Sequence, residues 1–255
     1  MEKSMKSIAQ IKAEFEQSKE EGRDELIRQY QSDSRSGVQS ICRKYEKKKD
    51  ILKKERLRLE VMRCYEHEYE AMGYVCGIDE AGRGPLAGPV VAGAVILPKD
   101  CEILWLNDSK QLTEKKREEL YDQILDQAVA AAVGMASPAR IDEINILQAT
   151  YEAMREAISK LSVKPQILLN DAVRIPDVAI RQVPIIKGDA KSVSIAAASI
   201  LAKVTRDRLM REYDKIMPQY GFAGHKGYGS AAHIEAVRKY GPSPIHRKSF
   251  LKNLL

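Results

Sequence analysis

Four acidic residues follow short apolar runs that are typical of β-strands. Asp79 and Glu80 come directly after the run Tyr-Val-Cys-Gly-Ile. Asp171 follows Ile-Leu-Leu-Asn, and Asp189 follows Ile-Ile-Lys-Gly. Because strand ends are rigid and open α/β sheets gather their active sites along one edge, we expect the four carboxylates to meet there. Carboxylates brought together without matching cations repel one another, and a divalent ion relieves that repulsion.

The ligand type indicates a hard divalent cation. Carboxylate oxygens select Mg²⁺ or Mn²⁺, and none of the four histidines in the chain adjoins these acids, which argues against zinc. For Asp171 or Asp189 alone, a capping or surface role is the ordinary alternative. The combination with the adjacent pair at 79 and 80 favours a metal centre.

A glycine-rich loop directly follows the acidic pair. Gly82, Arg83 and Gly84 leave the backbone open to a sugar hydroxyl or a phosphate, and the arginine can add a charge-assisted contact. A plain tight turn is the alternative. The segment also fits the dinucleotide-binding pattern GxGxxA, but Pro85 and the glycine and proline at 88–89 break the helix that this pattern requires. The sequence contains no Walker A phosphate loop and no GxSxG nucleophile motif.

From residue 73 onward, apolar β-branched runs alternate with runs of helical periodicity, which predicts an α/β domain over residues 73–255. The predicted strands are 74–78, 89–97, 129–136, 167–169 and 178–186. The first predicted helix is capped by Thr113 and has an apolar stripe that reaches Ala128. Three further helices are predicted over 137–161, 193–217 and 231–240, with a loop over 221–229. The small residues 196–199 would let a sheet approach the helix predicted over 193–217 closely.

Residues 1–72 contain no proline and only two glycines, and their pattern predicts an all-helical N-terminal extension. Between residues 42 and 63, ten lysines and arginines stand against four acids, while Ile41, Tyr45, Leu52 and Leu59 share one helical face. This pattern predicts a basic amphipathic helix. Such a helix packs on the main domain with its charges solvated, contacts a nucleic-acid backbone, or binds another protein.

The composition is that of a globular protein, with 44% hydrophobic and 31% charged residues, which excludes wholesale disorder. The longest apolar stretch, 90–97, is too short to span a bilayer, and the first residues do not form a secretory signal. We therefore expect a cytoplasmic protein with no membrane partner, free cysteines and a monomeric state. The net charge of +6 suggests a polyanionic partner.

Several segments carry a more specific pattern than their spacing alone. Residues 77–91 read GIDEAGRGPLAGPVV, and Asp-Ser-Lys at 108–110, Asn-Asp at 170–171, Lys-Gly-Asp at 187–189, the helix at 196–207 and Lys-Gly-Tyr-Gly at 226–229 follow in order. In residue identity and in order along the chain, these segments resemble those of the type 2 ribonucleases H, the bacterial ribonuclease HII family. Arg83 and Pro85 distinguish the loop from that of the related type 3 enzymes. The resemblance covers about residues 73–255 and leaves residues 1–72 outside.

The resemblance implies a ribonuclease H-like mixed β-sheet flanked by helices. It also implies a metal-dependent endonuclease that cuts the RNA strand of RNA/DNA hybrids and cuts 5′ to single ribonucleotides in duplex DNA, leaving a 3′-hydroxyl and a 5′-phosphate. By position, Asp79, Glu80, Asp171 and Asp189 would be catalytic, with the first three as ligands of two Mg²⁺ or Mn²⁺ ions about 4 Å apart. Asp189 could instead orient a water or the outer shell of a metal.

The resemblance also assigns substrate contacts. The Gly-Arg-Gly loop at 82–84 would sense the ribose 2′-hydroxyl, and Tyr228 would pack against the sugar on the DNA side of the junction. Candidate phosphate contacts are Ser109, Lys110, Lys187, Lys191 and Lys226. Weaker candidates for the same role are Lys203, Arg206, His246, Arg247 and Lys248. The alternatives are a tyrosine that only anchors its loop and basic side chains that are simply solvated.

Two other functions remain open at the level of sequence. A non-catalytic nucleic-acid-binding protein could share the fold, although such a protein need not keep mutually repelling carboxylates. A DNA-cutting nuclease on the same fold is the second alternative, although it would have no use for a loop that senses the 2′-hydroxyl.

Overall fold

The computed structural model describes residues 5–252, and the chain divides into two compact units, Met1–Arg58 and Leu59–Leu255. The first unit contains α1 (Ile8–Gln17), α2 (Glu20–Tyr30) and most of α3 (Ser36–Met62). A capping box at Ser7 begins α1, since its hydroxyl accepts from the Gln10 N–H and the Gln10 side chain accepts from the Ser7 N–H. The predicted all-helical extension is confirmed, while its boundary at residue 72 stays a prediction.

The first unit has a small core of its own. It is formed by Ile11, Phe15, Tyr30, Val38, Cys42 and Tyr45. The ring of Phe15 stacks on that of Tyr45 with the centroids 4.8 Å apart, which joins α1 to α3.

The second unit is built on a mixed sheet. Its strands are β1 (Val75–Ala81), β2 (Val90–Ile96), β3 (Ala130–Ala136), β4 (Ile167–Asp171) and β5 (Arg181–Ile185). Its helices are α4 (Cys64–Tyr69), α5 (Glu114–Gln127), α6 (Pro138–Ile144), α7 (Ile146–Ser159), α8 (Val193–Ile216), α9 (Phe222–His225), α10 (Ala231–Tyr240) and α11 (Lys248–Leu251). Short 3₁₀ turns lie at Glu70–Met72, Ser109–Gln111, Gly188–Ala190 and Pro218–Tyr220.

Within residues 5–252 the sheet has five strands in the order β3, β2, β1, β4, β5. The pairs β1–β2 and β2–β3 are antiparallel, and β1–β4 and β4–β5 are parallel. Helices cover both faces, with α8 on β1 and β2 from one side and α7 on β2 and β3 from the other. The predicted ribonuclease H-like mixed sheet flanked by helices agrees with this architecture.

Two glycines let α8 lie directly on the sheet. A Cβ at Gly77 would come within 2.1 Å of the Ser194 carbonyl carbon, and one at Gly93 within 2.4 Å of the Ala198 oxygen. Any side chain at either position would therefore push α8 away from the sheet. The sequence predicted this close approach from the small residues of the helix. The structure shows that the approach also requires glycines in the facing strands.

The structure differs from the predicted elements at three places. The helix predicted over 137–161 is two helices, because Asn145 has a φ of 72° and its side chain caps α7 by accepting from the N–H groups of Leu147 and Gln148. The loop predicted over 221–229 contains the short α9. Strand β1 continues to Ala81, so Asp79 and Glu80 lie within it rather than after it. None of the helices in the described part of the chain is long and apolar enough to cross a membrane.

Candidate active site

Asp79 and Asp171 are brought together by strand register. Parallel pairing places Gly77 beside Leu169 and Ile78 beside Asn170, so Asp79 on β1 comes next to Asp171 at the end of β4. Side chains alternate between the faces of a sheet. Leu169 packs with Ile195 of α8, and Gly77 lies under the same helix, so both aspartates lie on the α8 face.

Asp189 joins these two from the turn after β5. Its neighbour Gly188 donates its N–H to Oδ1 of Asp171 over 2.7 Å, which ties the turn to the end of β4. Carboxylate oxygens of Asp79, Asp171 and Asp189 all lie within 4.8 Å of one another. The expectation that the acids meet at one sheet edge therefore holds for these three, which we call the acidic cluster.

Glu80 lies beside the acidic cluster but not within the 4.8 Å group found among the described residues. It directly follows Asp79 in β1, so its side chain leaves from the opposite face of the strand. Oε1 of Glu80 lies 3.3 Å from the Arg83 guanidinium. The sequence grouped Glu80 rather than Asp189 with the metal ligands, whereas the geometry favours Asp189; the metal role of Glu80 stays a prediction.

Burial and mutual repulsion make the acidic cluster electrostatically unfavourable on its own. Burial and the charges of Glu80 and Asp171 raise the pKa of Asp79 well above its usual value, despite a hydrogen bond from Ser199. Burial also raises the pKa of Glu80. For Asp189 the pKa is raised first by burial and then by repulsion from Asp108 and Asp171.

The donor set of the acidic cluster fits a hard divalent cation. Its ligands are carboxylate oxygens, and in residues 5–252 neither Asp79 nor Asp171 forms an ion pair. The cation nearest the cluster is the Nζ of Lys110, 4.0 Å from Oδ2 of Asp189. One partly solvated ammonium does not balance three carboxylates, so positive charge from a bound ion would relieve the repulsion.

We expect Mg²⁺ or Mn²⁺ to stabilise the folded protein. An ion at 100 times its dissociation constant would add about 2.7 kcal/mol to the free energy of unfolding, which raises the melting temperature by about 5–10 °C for a unit of this size. Differential scanning fluorimetry with and without EDTA measures the shift. The Asp79→Asn variant, which loses a ligand, should shift much less, and an unchanged melting temperature in the wild type would rule out ion binding at the cluster.

The Gly-Arg-Gly loop and Tyr228 lie side by side. A Cβ placed on Gly84 would be 3.9 Å from Cε1 of Tyr228, which is ordinary van der Waals contact. Main-chain bonds fix this arrangement, since the Leu86 N–H donates to the Gly227 carbonyl over 2.8 Å. The Tyr228 side chain is 46% exposed and so is open to a ligand. Arg83 and Gly84, which are exposed, thus form one surface with Tyr228, whereas Gly82 is buried.

Ser109 and Lys110 have different surroundings. Ser109 is buried, and its hydroxyl is hydrogen-bonded to that of Ser199, with the two Oγ atoms 3.0 Å apart. The Ser109 hydroxyl therefore does not reach the surface where a phosphate would bind. The Lys110 side chain is 80% exposed beside Asp189. The geometry favours Lys110 over Ser109 as a phosphate contact.

Arg206 and Arg247 are not phosphate contacts, because both are fully buried. Their guanidinium groups donate to main-chain carbonyls, those of Gly82 and Arg83 among them. No periodic pattern in the sequence distinguishes a buried arginine from a solvated one, so the burial of these two could not be predicted.

Two buried histidines support the Tyr228 loop. The Nδ1 of His233 lies 2.8 Å from the Tyr228 carbonyl, so this nitrogen carries the proton. Its Nε2 then accepts from Nε2 of His246 at 3.0 Å, while Nδ1 of His246 accepts from the N–H of Ser243. In this arrangement each ring has one nitrogen that donates and one that accepts, which requires both histidines to be neutral. Accordingly, burial lowers the pKa of His233, and burial and repulsion from His233 lower that of His246 to about 4.

This pair predicts a loss of stability in acid. Both rings are neutral in the folded state at pH 7, and below about pH 6.5 the unfolded chain takes up protons that folded His246 refuses until about pH 4. The free energy of unfolding should therefore fall by about 3 kcal/mol as the pH drops through this window. Thermal melts of wild type and His246→Gln across the window measure the difference. The exposed His67→Gln variant is the control, and equal pH dependence in wild type and His246→Gln would contradict the assignment.

Comparison with known proteins shows which family the chain belongs to. The Ribonuclease HII family model matches residues 76–253, which contain the acidic cluster, the Gly-Arg-Gly loop and Tyr228. The chain belongs to the ribonuclease HII family. A second model, the Ribonuclease HII N-terminal domain, matches residues 7–70. The resemblance therefore extends over the helical extension, which the sequence motifs had left outside.

Relatives named ribonuclease HII match nearly the whole chain. That of Lachnoclostridium phytofermentans is 63% identical over 247 residues, covering 97% of both chains. That of Clostridioides difficile is 52% identical over 252 residues, covering 98% of this chain and 99% of its own. Ribonucleases HII are endonucleases that act on RNA/DNA hybrids, so the chain is a hydrolase with ribonuclease H activity.

Solved structures confirm the fold. Ribonuclease H2 from Pyrococcus horikoshii is 30% identical, with a TM-score of 0.60 over 71% of this chain and 96% of its own. The ribonuclease HII solved in complex with PCNA from Archaeoglobus fulgidus is 28% identical, with a TM-score of 0.58 over 69% and 94%. A ribonuclease HIII in complex with Mn²⁺ is 17% identical, with a TM-score of 0.51 over 66% and 63%, and supports the fold alone.

Proposed function

We propose that this protein cuts the RNA strand of hybrids and cuts 5′ to single ribonucleotides in duplex DNA, with Mg²⁺ or Mn²⁺ as cofactor. Products would carry a 3′-hydroxyl and a 5′-phosphate. The main support is the position of the acidic cluster at the end of β1, where the same strand leads directly into the Gly-Arg-Gly loop. A phosphate at the cluster and a ribose at the loop can then belong to one nucleotide.

The acidic residues have distinct parts in this proposal. Asp79, Asp171 and Asp189 would hold the ions, in the two-ion site that the family resemblance implies. Bound Mg²⁺ or Mn²⁺ supplies charge that activates a water and stabilises the leaving oxygen. Glu80 faces Arg83 on the loop side, where it can orient the ribose or the water, and Lys110 can neutralise an incoming phosphate.

Substrate discrimination would come from the loop and the tyrosine. The exposed main chain of Arg83 and Gly84 can hydrogen-bond a 2′-hydroxyl, which is the group that distinguishes RNA from DNA. The half-exposed Tyr228 ring offers a flat surface for the next sugar, where a second 2′-hydroxyl would collide. This arrangement favours an enzyme that reads the junction from ribonucleotide to deoxyribonucleotide.

Cleavage of matched duplexes tests the proposal. One labelled DNA duplex carries a single ribonucleotide and the other has the same sequence without it, each incubated with Mg²⁺, Mn²⁺ or EDTA. We expect cutting 5′ to the ribonucleotide with either ion and none with EDTA. Equal cutting of both duplexes would favour a DNA nuclease on this fold, and binding without cutting would favour a non-catalytic binding protein.

The helical extension is proposed to contact the nucleic-acid backbone. On α3 the cationic side chains of Arg43, Lys44, Lys47, Lys48, Lys53 and Lys54 are exposed, and in the described part of the chain none pairs with an acid. Lys47 and Lys54 are seven residues apart and so lie on one face of the helix. These cations, none of which has an acidic partner among the described residues, are the specific observation in favour of a nucleic-acid contact over a merely solvated helix.

Salt dependence of binding tests this contact. Replacing Lys47 and Lys54 by glutamine should reduce the slope of log K against log salt by about 2, if both contact phosphates. Binding is measured by fluorescence anisotropy in EDTA. The control replaces Lys12 and Lys49, which already pair with Glu16 and Asp24. Equal slopes in wild type and the first variant would leave the helix without a role in binding.

A further inference from the structure

Two arginine side chains lie fully inside the second unit, beneath the Gly-Arg-Gly loop. Arg206 belongs to α8 and Arg247 directly precedes α11, and both side chains have 0% exposure. In residues 5–252 neither forms an ion pair, although burying an unpaired guanidinium is unfavourable. Their charges are instead met by the main-chain carbonyl oxygens of residues 82, 83, 87, 88, 89 and 226.

Arg247 is the one that holds the loop itself. Its Nη2 donates to the Gly82 carbonyl over 2.5 Å, its Nη1 donates to the Arg83 carbonyl over 2.8 Å, and its Nε donates to the Gly88 carbonyl over 3.0 Å. The planar guanidinium thus binds two carbonyls of the Gly-Arg-Gly loop and a third one just beyond it, at Gly88. Burial and repulsion from Arg206 lower the pKa of Arg247 to about 9, which still leaves the group charged at neutral pH.

These bonds determine where the loop N–H groups point. In a trans peptide the C=O and the following N–H point in opposite directions. When Arg247 draws the carbonyls of Gly82 and Arg83 inward, the N–H groups of Arg83 and Gly84 must point away from the interior. Both residues are exposed, and neither N–H has an acceptor within residues 5–252. Two adjacent free donors therefore face the surface beside Tyr228 and Glu80.

We propose that Arg247 is a positioning residue that orients the N–H groups of Arg83 and Gly84 toward the ribose 2′-oxygen of the substrate. The proposal rests on the proposed function and adds to it the cause of the loop orientation. Arg247 does not touch the substrate, because it is fully buried. It acts by holding two peptide planes in the orientation that exposes their donors, so the donors need no reorganisation when the substrate binds.

Lysine cannot replace arginine in this role. The three carbonyl oxygens lie around one planar fork, whereas an ammonium is a single point of charge on a flexible stem. Arg247→Lys keeps the buried charge and loses the simultaneous hold on residues 82, 83 and 88. Arg206→Lys is the comparison variant, because Arg206 is equally buried and donates to the carbonyls of residues 87, 89 and 226 but to none of residues 82–84. Its side chain does pack beneath Gly82 and lies 5.9 Å from the Tyr228 ring, so this variant changes the packing under the loop while leaving the Arg247 bonds in place.

The test measures duplex affinity in EDTA, where no cutting occurs. Wild type should bind the duplex with one ribonucleotide about tenfold more tightly than the all-DNA duplex, because two neutral hydrogen bonds are gained. Arg247→Lys should lower this preference to near one and leave the affinity for all-DNA duplex within twofold. Arg206→Lys should keep the preference. Ile124→Val, in a core away from the loop, controls for a general loss of stability.

The outcomes separate this proposal from the proposed function. A preference that survives in Arg247→Lys overturns the positioning role. An equal loss in Arg206→Lys also overturns it, since the packing and charge of the buried arginines, rather than the Arg247 bonds to the carbonyls of Gly82 and Arg83, would then be responsible. If wild type cuts the ribonucleotide duplex in Mg²⁺ yet binds both duplexes equally in EDTA, the loop orientation is not the source of selectivity and the proposal also fails. If wild type cuts neither duplex, the proposed function fails, while the affinity comparison still reports on Arg247.

Discussion

The Asp79→Asn variant is expected to lose strand cleavage by about a thousand-fold or more while folding at least as well as the wild type. Asp79 is 5% exposed and lies in the middle of the acidic cluster, next to Asp171 on the adjacent strand. Losing its charge removes transition-state stabilisation of several kcal/mol, and each 1.36 kcal/mol is a factor of ten in rate. In EDTA the melting temperature should stay level or rise, because an amide of the same shape removes one of the repelling charges.

Single-turnover cleavage of the ribonucleotide duplex measures the rate, and scanning fluorimetry measures the melting temperature. Asp122→Asn is the matched control, since Asp122 lies on α5 and its carboxylate is 76% exposed. It should change neither quantity. Wild-type rates in Asp79→Asn would show that Asp79 takes no part in the reaction, and a large fall in melting temperature would show that its carboxylate is structural.

The second large effect is expected at Gly82. Its φ of 91° is unfavourable for any residue with a Cβ, and a Cβ there would lie 2.1 Å from Nε of the buried Arg206. Gly82→Ala must therefore move the loop, since Arg206 is held by three carbonyls. We expect a loss of about 2 kcal/mol in stability and a fall of about a hundredfold in kcat/KM, the size of effect expected when a reacting group is displaced by about 1 Å.

Two other glycines show whether the effect is specific to this position. A Cβ on Gly224 has nothing within 4 Å, and Gly84 has no positive φ and meets only Tyr228 at 3.9 Å. Alanine at either position should leave the unfolding free energy within about 0.5 kcal/mol of wild type. Denaturant unfolding and steady-state cleavage are the measurements. If Gly82→Ala matches Gly224→Ala in both, the loop is not held as described.

The sequence predicted those features that depend on neighbouring residues along the chain. Strand-like runs followed by acids predicted that carboxylates meet at one sheet edge, and parallel pairing of β1 with β4 places Asp79 next to Asp171. The same logic could not rank Glu80 against Asp189. That distinction depends on the exact end of β1 and on the face from which a side chain leaves the strand, and a shift of one residue reverses the face.

The long-range contacts were beyond the sequence. An arginine after α10 gives no sign that it will turn inward and hold a loop 165 residues earlier in the chain. The single φ of Asn145 that divides one predicted helix into two is similarly invisible in apolar periodicity. Ser109 was expected to contact a phosphate, yet it is buried and its hydroxyl bonds to that of Ser199 on α8. Each of these features is set by tertiary packing.

The wide separation of the cluster and loop residues along the chain has a consequence for biosynthesis. Asp79, Asp171 and Asp189 meet only after β4 has paired in parallel with β1, and Arg247 reaches the loop later still. A growing chain on the ribosome therefore contains Asp79 long before it contains the other two residues of the acidic cluster. Closing contacts of such length is slow compared with forming a helix. With the acidic cluster as the proposed catalytic site, a chain that ends before Asp189 cannot assemble that site.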